Sequence, residues 1–474
     1  MNFWVGLTRG VVLLGLCVIG LSSPAIAGPA AAFPMTSYVL LGDDGVRVAR
    51  VITPNAVCPR MLVDGHRANM AIRAPAGTVA QRTTSASAAG SKPSVFDGLV
   101  CEATLPIWTK VASVGGHNLP LPPAVIRRVV VIGDTGCRIL PAKGAGQACN
   151  DPKAYPFAQV AAAAARWKPD LVVHVGDYLY RETACPTGDA GCAGSPWGYG
   201  ADAWRADFIT PAEALLTVAP LALARGNHET CVRAGQGWWR YLDPHPYLPG
   251  RDCNDPANDA VGDFTDPYAV PLGDKAQLIM FDSADTSNKP LADDDVRAVH
   301  YRDAYAKIAT LAADSPHSIL VNHHPILGFA AGRGAGGTVA LYPGNGGLQS
   351  VFGAITPRYL PGRIDLSLAG HIHLWEAVSF SSDHPAQIIA GFSGTLEDIV
   401  PLPAAVPADA TPAKGAVVKA LSSWVDGFGF MTLERRGDDA WHVEVHDVQG
   451  AVVNTCEIRG RDVACAVAQV ASRH

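Results

Sequence analysis

The chain has 474 residues, of which 48% are hydrophobic, so it is long enough for two domains and apolar enough for a large core. Its 37 basic and 43 acidic residues give a formal net charge of −6. This mildly acidic balance gives no basic footprint for nucleic acid, and we expect no nucleic-acid partner.

Residues 1–27 have the features of a secretory signal peptide. Arg9 precedes the apolar run VVLLGLCVIGL, and Ala25-Ile26-Ala27 has the small-x-small form of a cleavage site. We expect cleavage after Ala27 and a mature protein that is secreted or periplasmic, without a membrane anchor. An uncleaved anchor is disfavoured because the apolar run is too short to span a bilayer.

Cleavage would remove Cys17 from the 11 cysteines and leave an even number in an oxidising compartment. Disulfides are therefore the default interpretation, and no CxxC spacing indicates a zinc site. Sequence does not determine connectivity, but the simplest assignment pairs neighbours along the chain: Cys58–Cys101, Cys137–Cys149, Cys185–Cys192, Cys231–Cys253 and Cys456–Cys465.

Residues 28–124 are predicted to form a small all-β domain. YVLLGDDGVRVARVI (38–52) places a Gly-Asp-Asp-Gly turn between two alternating apolar runs, which is a hairpin signal. VGGHNLPLPP (114–123) is a linker by its Gly and Pro content.

From residue 125 the pattern changes to strands that alternate with helices, which predicts an α/β catalytic domain over residues 125–474. VIRRVVVIGD (125–134) and DLVVHVGD (170–177) are strands on either side of an Ala-rich helix (157–168). Further strands are predicted at 220–229, 276–285, 318–325, 365–373, 386–394, 427–436 and 440–448, and further helices at 211–218 and 301–314.

Five strand ends carry Asp, Asn or His: GDTG (133–136), GDYLY (176–180), GNHE (226–229), NHHP (322–325) and GHIHLWE (370–376). Each alone has an ordinary explanation as a turn, a cap or a packed His. Together they indicate one site, because ligands bind at the carboxyl ends of strands in α/β folds. Such a set suits two cations that clamp the attacking and leaving oxygens of an in-line displacement and make hydroxide available near neutral pH. A bridging carboxylate fits, since each of its oxygens can hold one ion.

The five motifs, in this order over roughly residues 128–376, resemble those of the calcineurin-like metallophosphoesterases. There the first motif is usually Asp-x-His, whereas this chain has Gly136 in place of the His. The second motif, with Tyr180 three residues after Asp177, resembles that of the purple acid phosphatases, where a tyrosinate ligates a ferric ion. The resemblance implies a four-layer α/β/β/α sandwich that holds Fe(III) beside a divalent Zn, Fe or Mn ion.

The resemblance also implies two ligand sets that share Asp177. One ion would be held by Asp134, Asp177, Tyr180 and His373, and the other by Asp177, Asn227, His323 and His371. The family ligand lies two residues before Pro325, which favours His323 and leaves the adjacent His324 for the substrate or for a supporting contact.

His228 is the best candidate to bind the phosphoryl group and to protonate the leaving oxygen. Glu229 and Glu376 are expected to orient His or Asn side chains. The Gly-rich stretch 328–347 is interpreted as a mobile substrate loop, with a functionless excursion as the alternative.

The predicted function is hydrolysis of small phosphate monoesters by a hydroxide that attacks phosphorus in line. A phosphodiesterase or nucleotidase with the same ligands remains an alternative, because the surrounding loops decide between them. A binding protein that has lost catalysis is disfavoured, since every proposed ligand position carries a competent side chain.

Overall fold

The structure is a computed structural model that describes Met1 and residues 33–140, 145–273, 275–333, 339–398, 400, 406–407, 409–467 and 469–470. Apart from Met1, the predicted signal peptide at residues 1–27 lies outside the described residues. Residues 34–474 form one compact unit. None of the described helices combines the length and the apolar character needed to cross a membrane.

Eleven strands in the described part of the chain form a mixed sheet, here called the first sheet. Its centre is parallel, with Val129 paired to Leu171 and Val172 paired to Leu221. The branched apolar run at 129–132 is buried on both faces, which is typical of a central parallel strand. In spatial order the strands are Asp462–Cys465, Val452–Arg459, Ala440–Asp447, Gly429–Arg435, Arg128–Ile132, Leu171–His174, Leu221–Leu223, Thr36–Leu41, Arg47–Thr53, Leu99–Leu105 and Ala71–Ala74.

Eight further strands form the second sheet, which also has a parallel centre. Leu278 pairs with Ile319, and Val321 pairs with Leu368. In spatial order the strands are Tyr268–Pro271, Ala276–Met280, His317–Val321, Ile364–Ala369, Ala386–Ala390, Trp375–Phe380, Val418–Trp424 and Gln469–Val470.

The two sheets pack face to face and build the main core. Val131 and Val173 of the first sheet belong to the same buried cluster as Leu278 and Val321 of the second. Successive residues of a strand point to opposite faces. Accordingly, Ile279 of the second sheet belongs instead to an outer apolar cluster with residues of two helices.

Helices cover the outer faces of both sheets, and the predicted four-layer α/β/β/α architecture is confirmed. Val296–Ala313 and Gly346–Ile355 cover the second sheet, while Phe157–Arg166 packs on the first. The other described α-helices are Ala201–Trp204, Glu213–Leu216, Gly235–Gly237 and Asp259–Gly262.

The N-terminal β-rich region is confirmed, and its strands continue the first sheet. Thr36–Leu41 lies parallel to Leu221–Leu223 and antiparallel to Arg47–Thr53. The predicted hairpin turn is present, with Asp44 at φ 53°. Smaller sheets are formed by His117–Asn118, Ala112–Val114, Arg60–Val63 and His66–Asn69, and by the pairs Gly77–Val79/Ser94–Phe96, Ile139–Leu140/Ala145–Gly146 and Ala330–Arg333/Val339–Tyr342. The domain boundary after residue 124 stays a prediction.

All five predicted disulfides are formed. The Cys137–Cys149 bridge closes a short loop that begins three residues after Asp134. The Cys231–Cys253 bridge anchors the chain shortly after the GNHE motif. Two of the bridges therefore brace segments that leave the predicted site.

Candidate metal centre

The five motifs meet at the carboxyl ends of parallel strands from both sheets. Asp134, Asp177 and His371 follow their strands with left-handed backbone, at φ 54°, 60° and 71°. Such a conformation costs a non-glycine residue of order 1–3 kcal/mol and persists only where the surrounding structure enforces it. The strain therefore marks the three positions at which the chain turns toward a shared site.

The first predicted ligand set is brought together around the hydroxyl of Tyr180. This oxygen lies 2.8 Å from Asp134 Oδ1 and 2.8 Å from Asp177 Oδ2. It also lies 3.0 Å from Nε2 of His373. Burial and the two carboxylates raise the pKa of Tyr180 well above its usual value.

The second predicted set is brought together around the amide oxygen of Asn227. This oxygen lies 3.0 Å from Nε2 of His323 and 3.0 Å from Nδ1 of His371. Burial, followed by the charge of His323, lowers the pKa of His371 to about 3, so His371 is a neutral imidazole with a lone pair available for a metal.

Asp177 joins the two sets through a single oxygen. Its Oδ2 lies 2.8 Å from the Tyr180 hydroxyl and 3.1 Å from His323 Nε2, whereas its Oδ1 accepts the backbone N–H of His228 at 2.8 Å. That each carboxylate oxygen of Asp177 serves one ion stays a prediction.

Backbone carbonyls fix the orientation of two of the imidazoles. Nδ1 of His323 lies 2.9 Å from the carbonyl oxygen of Val175, and Nδ1 of His373 lies 2.8 Å from that of Leu396. Each carbonyl accepts the Nδ1–H of its ring, so Nε2 is the nitrogen that faces the site.

His228 lies on the edge of the first set, with its ring centroid 3.8 Å from that of Tyr180. Its Nδ1 lies 3.0 Å from the carbonyl oxygen of Leu179 and 2.7 Å from Glu182 Oε1. Both neighbours are acceptors, so Nδ1 carries the hydrogen and Nε2 faces the site, 3.8 Å from Asp177 Oδ2. Burial and the Arg233 guanidinium lower the pKa of His228.

His324 is buried behind the second set. Its Nδ1 lies 3.3 Å from the Ser283 hydroxyl, and its ring centroid lies 4.3 Å from that of His371. A cavity of about 520 Å³ opens over the two sets, and the described residues that line it do not include His324. They are Arg138, Leu140, Asp177, Tyr180, Glu182, Asn227, His228, Arg233, Asn288, His371, His373 and Asp398.

A family model described as calcineurin-like phosphoesterase matches residues 127–374, more than half of the chain. The chain belongs to the calcineurin-like phosphoesterase family. It is therefore a phosphoester hydrolase.

Two solved structures share the fold of this phosphoesterase. The purple acid phosphatase PPD1 from yellow lupin (Lupinus luteus) seeds gives a TM-score of 0.51 at 15% identity, covering 89% of this chain and 73% of its own. The structure of PhoD gives 0.53 at 12% identity, covering 94% of each chain. At such identities the likeness shows the fold alone. A search of the curated proteins finds no match.

The donor atoms of this phosphoesterase fit a dinuclear metal centre, which its family implies. Asp134, Asp177 and His323 present ligand atoms within 4.8 Å of one another. The Tyr180 hydroxyl has one hydrogen but two carboxylate oxygens and a ring nitrogen around it, so the cluster has more acceptors than protons. A mixed carboxylate, imidazole and phenol set suits Zn, Fe or Mn.

Gly136 explains how the phosphoesterase departs from the Asp-x-His motif. A Cβ at this position would lie 2.7 Å from the backbone nitrogen of Tyr180 and 2.8 Å from Asp207 Oδ2. No side chain fits there, because the segment that carries Tyr180 packs directly against it. The lack of an imidazole at position 136 and the presence of Tyr180 are thus two parts of one local arrangement.

Two buried carboxylates hold that segment through its backbone. Glu229 accepts the N–H groups of Asp177, Tyr178 and Leu179, so it supports the loop and not a His or Asn side chain as expected. Asp207 accepts the N–H groups of Cys137 and Tyr180. Asp207 lies outside the five motifs, so no sequence signal indicated this contact.

Four charged residues of the cavity escaped the sequence interpretation: Arg138, Glu182, Arg233 and Asp398. Arg138 lies 3.4 Å from His373 Nε2 and 4.9 Å from the Tyr180 ring centroid. Arg233 is paired with Glu182, and its NH2 nitrogen lies 2.8 Å from both ring nitrogens of His228. Glu182 directly follows GDYLYR and Arg233 lies five residues after His228, so proximity to the motifs was the available signal.

Gly136→Ala is expected to destabilise the phosphoesterase by about 1–3 kcal/mol, because the added methyl overpacks the Tyr180 segment. It should also lower the metal content of purified protein. Unfolding in urea and elemental analysis measure the two effects. Gly146→Ala is the control: it lies in the loop closed by the neighbouring Cys137–Cys149 disulfide, and its Cβ would meet nothing within 4 Å. Equal stability of the two variants would contradict the packing argument.

Proposed function

We propose that this phosphoesterase is a secreted phosphatase that hydrolyses small phosphate monoesters with a pair of metal ions, Fe(III) and a divalent Zn, Fe or Mn ion. The observation that carries the proposal is the pair of donor sets sharing Asp177 beneath a cavity lined by Arg138 and Arg233. Both guanidinium groups can form charge-assisted hydrogen bonds to phosphoryl oxygens, although Arg233 is also paired with Glu182. They favour a monoester, because a monoester offers more such oxygens than a diester.

The ligand assignment follows the geometry. Fe(III) would be held by the set around Tyr180, because a hard, strongly charged ion suits an anionic phenolate better than a neutral imidazole. The divalent ion would be held by the set around Asn227, with Asp177 common to both. When bound, such ions polarise the phosphoryl group and lower the pKa of water at the site.

The remaining polar residues would bind and protonate the substrate. His228 directs its Nδ1–H to Leu179 and Glu182, so Nε2 is the nitrogen that would face the phosphoryl group. To protonate the leaving oxygen, the ring would have to be an imidazolium that carries a hydrogen on Nε2 as well. Arg233 and Glu182 hold this ring in place. His324, which contacts His371 and not the cavity, would act by positioning that ligand.

Five disulfides support a location outside the reducing cytosol. With the signal-like sequence at residues 1–27, we propose that the mature protein is secreted or periplasmic. Sequencing the N-terminus of exported protein tests this, and Gly28 is the expected first residue.

Hydrolysis of p-nitrophenyl phosphate should exceed that of bis(p-nitrophenyl) phosphate, because the two arginines favour a monoester. Asp177→Asn should lower kcat/KM for both by more than about 10²-fold, since even residues behind metal ligands are worth 10–100-fold. Steady-state kinetics measures both effects. The control is Asp314→Asn, an exposed residue at a helix end, which should be silent. Preference for the bis-ester would instead support a phosphodiesterase, and an active Asp177→Asn would exclude the proposed metal site.

The oxidised protein should absorb visible light through the contact of Fe(III) with the Tyr180 phenolate, and Tyr180→Phe should lose this absorption. Tyr178→Phe is the matched control, because the Tyr178 hydroxyl donates to the carbonyl oxygen of Ala224, away from the ligand sets. Absorption spectra combined with iron analysis test the assignment of Fe(III) to the set around Tyr180. Colourless, fully active wild-type protein without iron would disprove the Fe(III) assignment.

His228→Ala should lower kcat about 10²–10⁴-fold for an alkyl phosphate, because a poor leaving group needs a proton. The loss should be smaller for p-nitrophenyl phosphate, whose leaving group needs little protonation. His442→Ala, at an ion-paired surface His, serves as the control. An equal loss for both substrates would argue for phosphoryl binding alone.

A further inference from the structure

A second cavity, of about 640 Å³, adjoins the cavity over the ligand sets. The two share Asn288 and His371, so they meet at the edge of the proposed metal centre. No part of the proposed phosphoryl chemistry uses the second cavity, which we call the side cavity. It is lined by Asn288, Pro290, Pro325, Gly328, Phe329, Ala330, Tyr342, Pro343, Gly344, Asn345, Gly346, Gln349, Ser350, His371 and Ile372.

The side cavity differs from the site cavity in its chemistry. Among its described lining residues none is Asp, Glu, Lys or Arg, whereas the site cavity has Arg138, Arg233 and Glu182 in its walls. Carbon-rich groups dominate the side cavity: Pro290, Pro325, Phe329, Tyr342, Pro343 and Ile372. Transfer of apolar surface into such walls is favourable, and transfer of a charged group is not.

Two of its polar lining residues, Asn345 and Gln349, are already engaged with the protein. Asn345 caps a helix by accepting the N–H of Leu348 at 2.9 Å. Gln349 donates to the carbonyl oxygens of Ile326 and Pro412, both at 2.7 Å. These bonds fix the wall and occupy polar atoms that a polar ligand would otherwise contact.

Ala330 and Tyr342, which pair in the hairpin of Ala330–Arg333 and Val339–Tyr342, form part of the wall. The hairpin belongs to the stretch interpreted as a substrate loop. A Cβ on Gly332 would lie 2.7 Å from Cε2 of Tyr342, so the absence of a side chain lets this ring lie against the opposite strand. The aromatic ring thereby supplies one side of the side cavity.

We propose that the side cavity binds the leaving group of the substrate, an uncharged and apolar alkyl or aryl alcohol esterified to the phosphoryl group in the site cavity. This inference rests on the proposed phosphatase function and names the substrate class for it. The volume is in the range of preformed, mostly apolar ligand sites. The described walls carry no charged side chain, which disfavours leaving groups that carry a second phosphate.

The test is the dependence of kcat/KM on chain length for ethyl, butyl and hexyl phosphate. Their alkoxide leaving groups have nearly equal basicity, so the chemical step is held constant while apolar size changes. We expect kcat/KM to rise about two- to fourfold per methylene. The matching alkylphosphonates cannot lose the alkyl group, and their Kd, measured by calorimetry, should fall by the same factor.

Tyr342→Asp should flatten both dependences, because it introduces a charge into the wall. Val339→Asp is the matched control: it lies on the same strand and is exposed, but does not line the side cavity, so the dependences should persist.

The outcomes separate the two proposals. Hydrolysis of all three esters without dependence on chain length would overturn the side-cavity assignment and leave the phosphatase function intact. A wild-type dependence that survives in Tyr342→Asp would also overturn it. Failure to hydrolyse any monoester would overturn the proposed phosphatase function. If the Kd of the phosphonates were also independent of chain length, the side-cavity assignment would be overturned as well.

Discussion

The position of one carboxylate oxygen, Asp177 Oδ2, is the constraint on which the site depends. It is buried between a phenol hydroxyl at 2.8 Å and an imidazole nitrogen at 3.1 Å, and these groups follow strands of different sheets. Although burial alone would raise it, the charges of His323 and His228 hold the pKa of Asp177 well below its usual range. This ionised oxygen lies between the two donor sets, where its negative charge would stabilise cations bound by either set.

Other buried carboxylates keep that oxygen in place by holding backbone. Glu229 and Asp207 each accept several N–H groups from the segments around Asp177 and Tyr180. Burial, with the nearby Asp177 charge, raises the pKa of Glu229 to about 8. These contacts make the strained φ of Asp177 part of a fully hydrogen-bonded turn and not a local defect.

The site thus joins two regions of opposite character. On one side, charged residues of both signs surround the donor sets, namely Arg138, Arg233, Glu182 and Asp398. On the other, a hairpin and a helix start form walls whose described residues carry no charged side chain. His371 is common to both, so a molecule with a charged end and an apolar end would be oriented by the contrast alone.

The sequence by itself determined much of the protein. Buried branched runs predicted the central strands, and the Asp, Asn and His residues at their ends predicted which side chains converge, because parallel strands bring their carboxyl ends together. Neighbouring cysteines predicted the disulfides, since short loops bring them within reach. Only the tertiary structure decided the rest. The position of Asp177 Oδ2 between the two donor sets, the steric reason for Gly136 and the side cavity depend on contacts between segments far apart in sequence, such as Asn227 with His371, 144 residues away. Local sequence patterns indicate which chemistry a side chain can perform. Close packing between distant segments decides which of its atoms remain free to perform that chemistry.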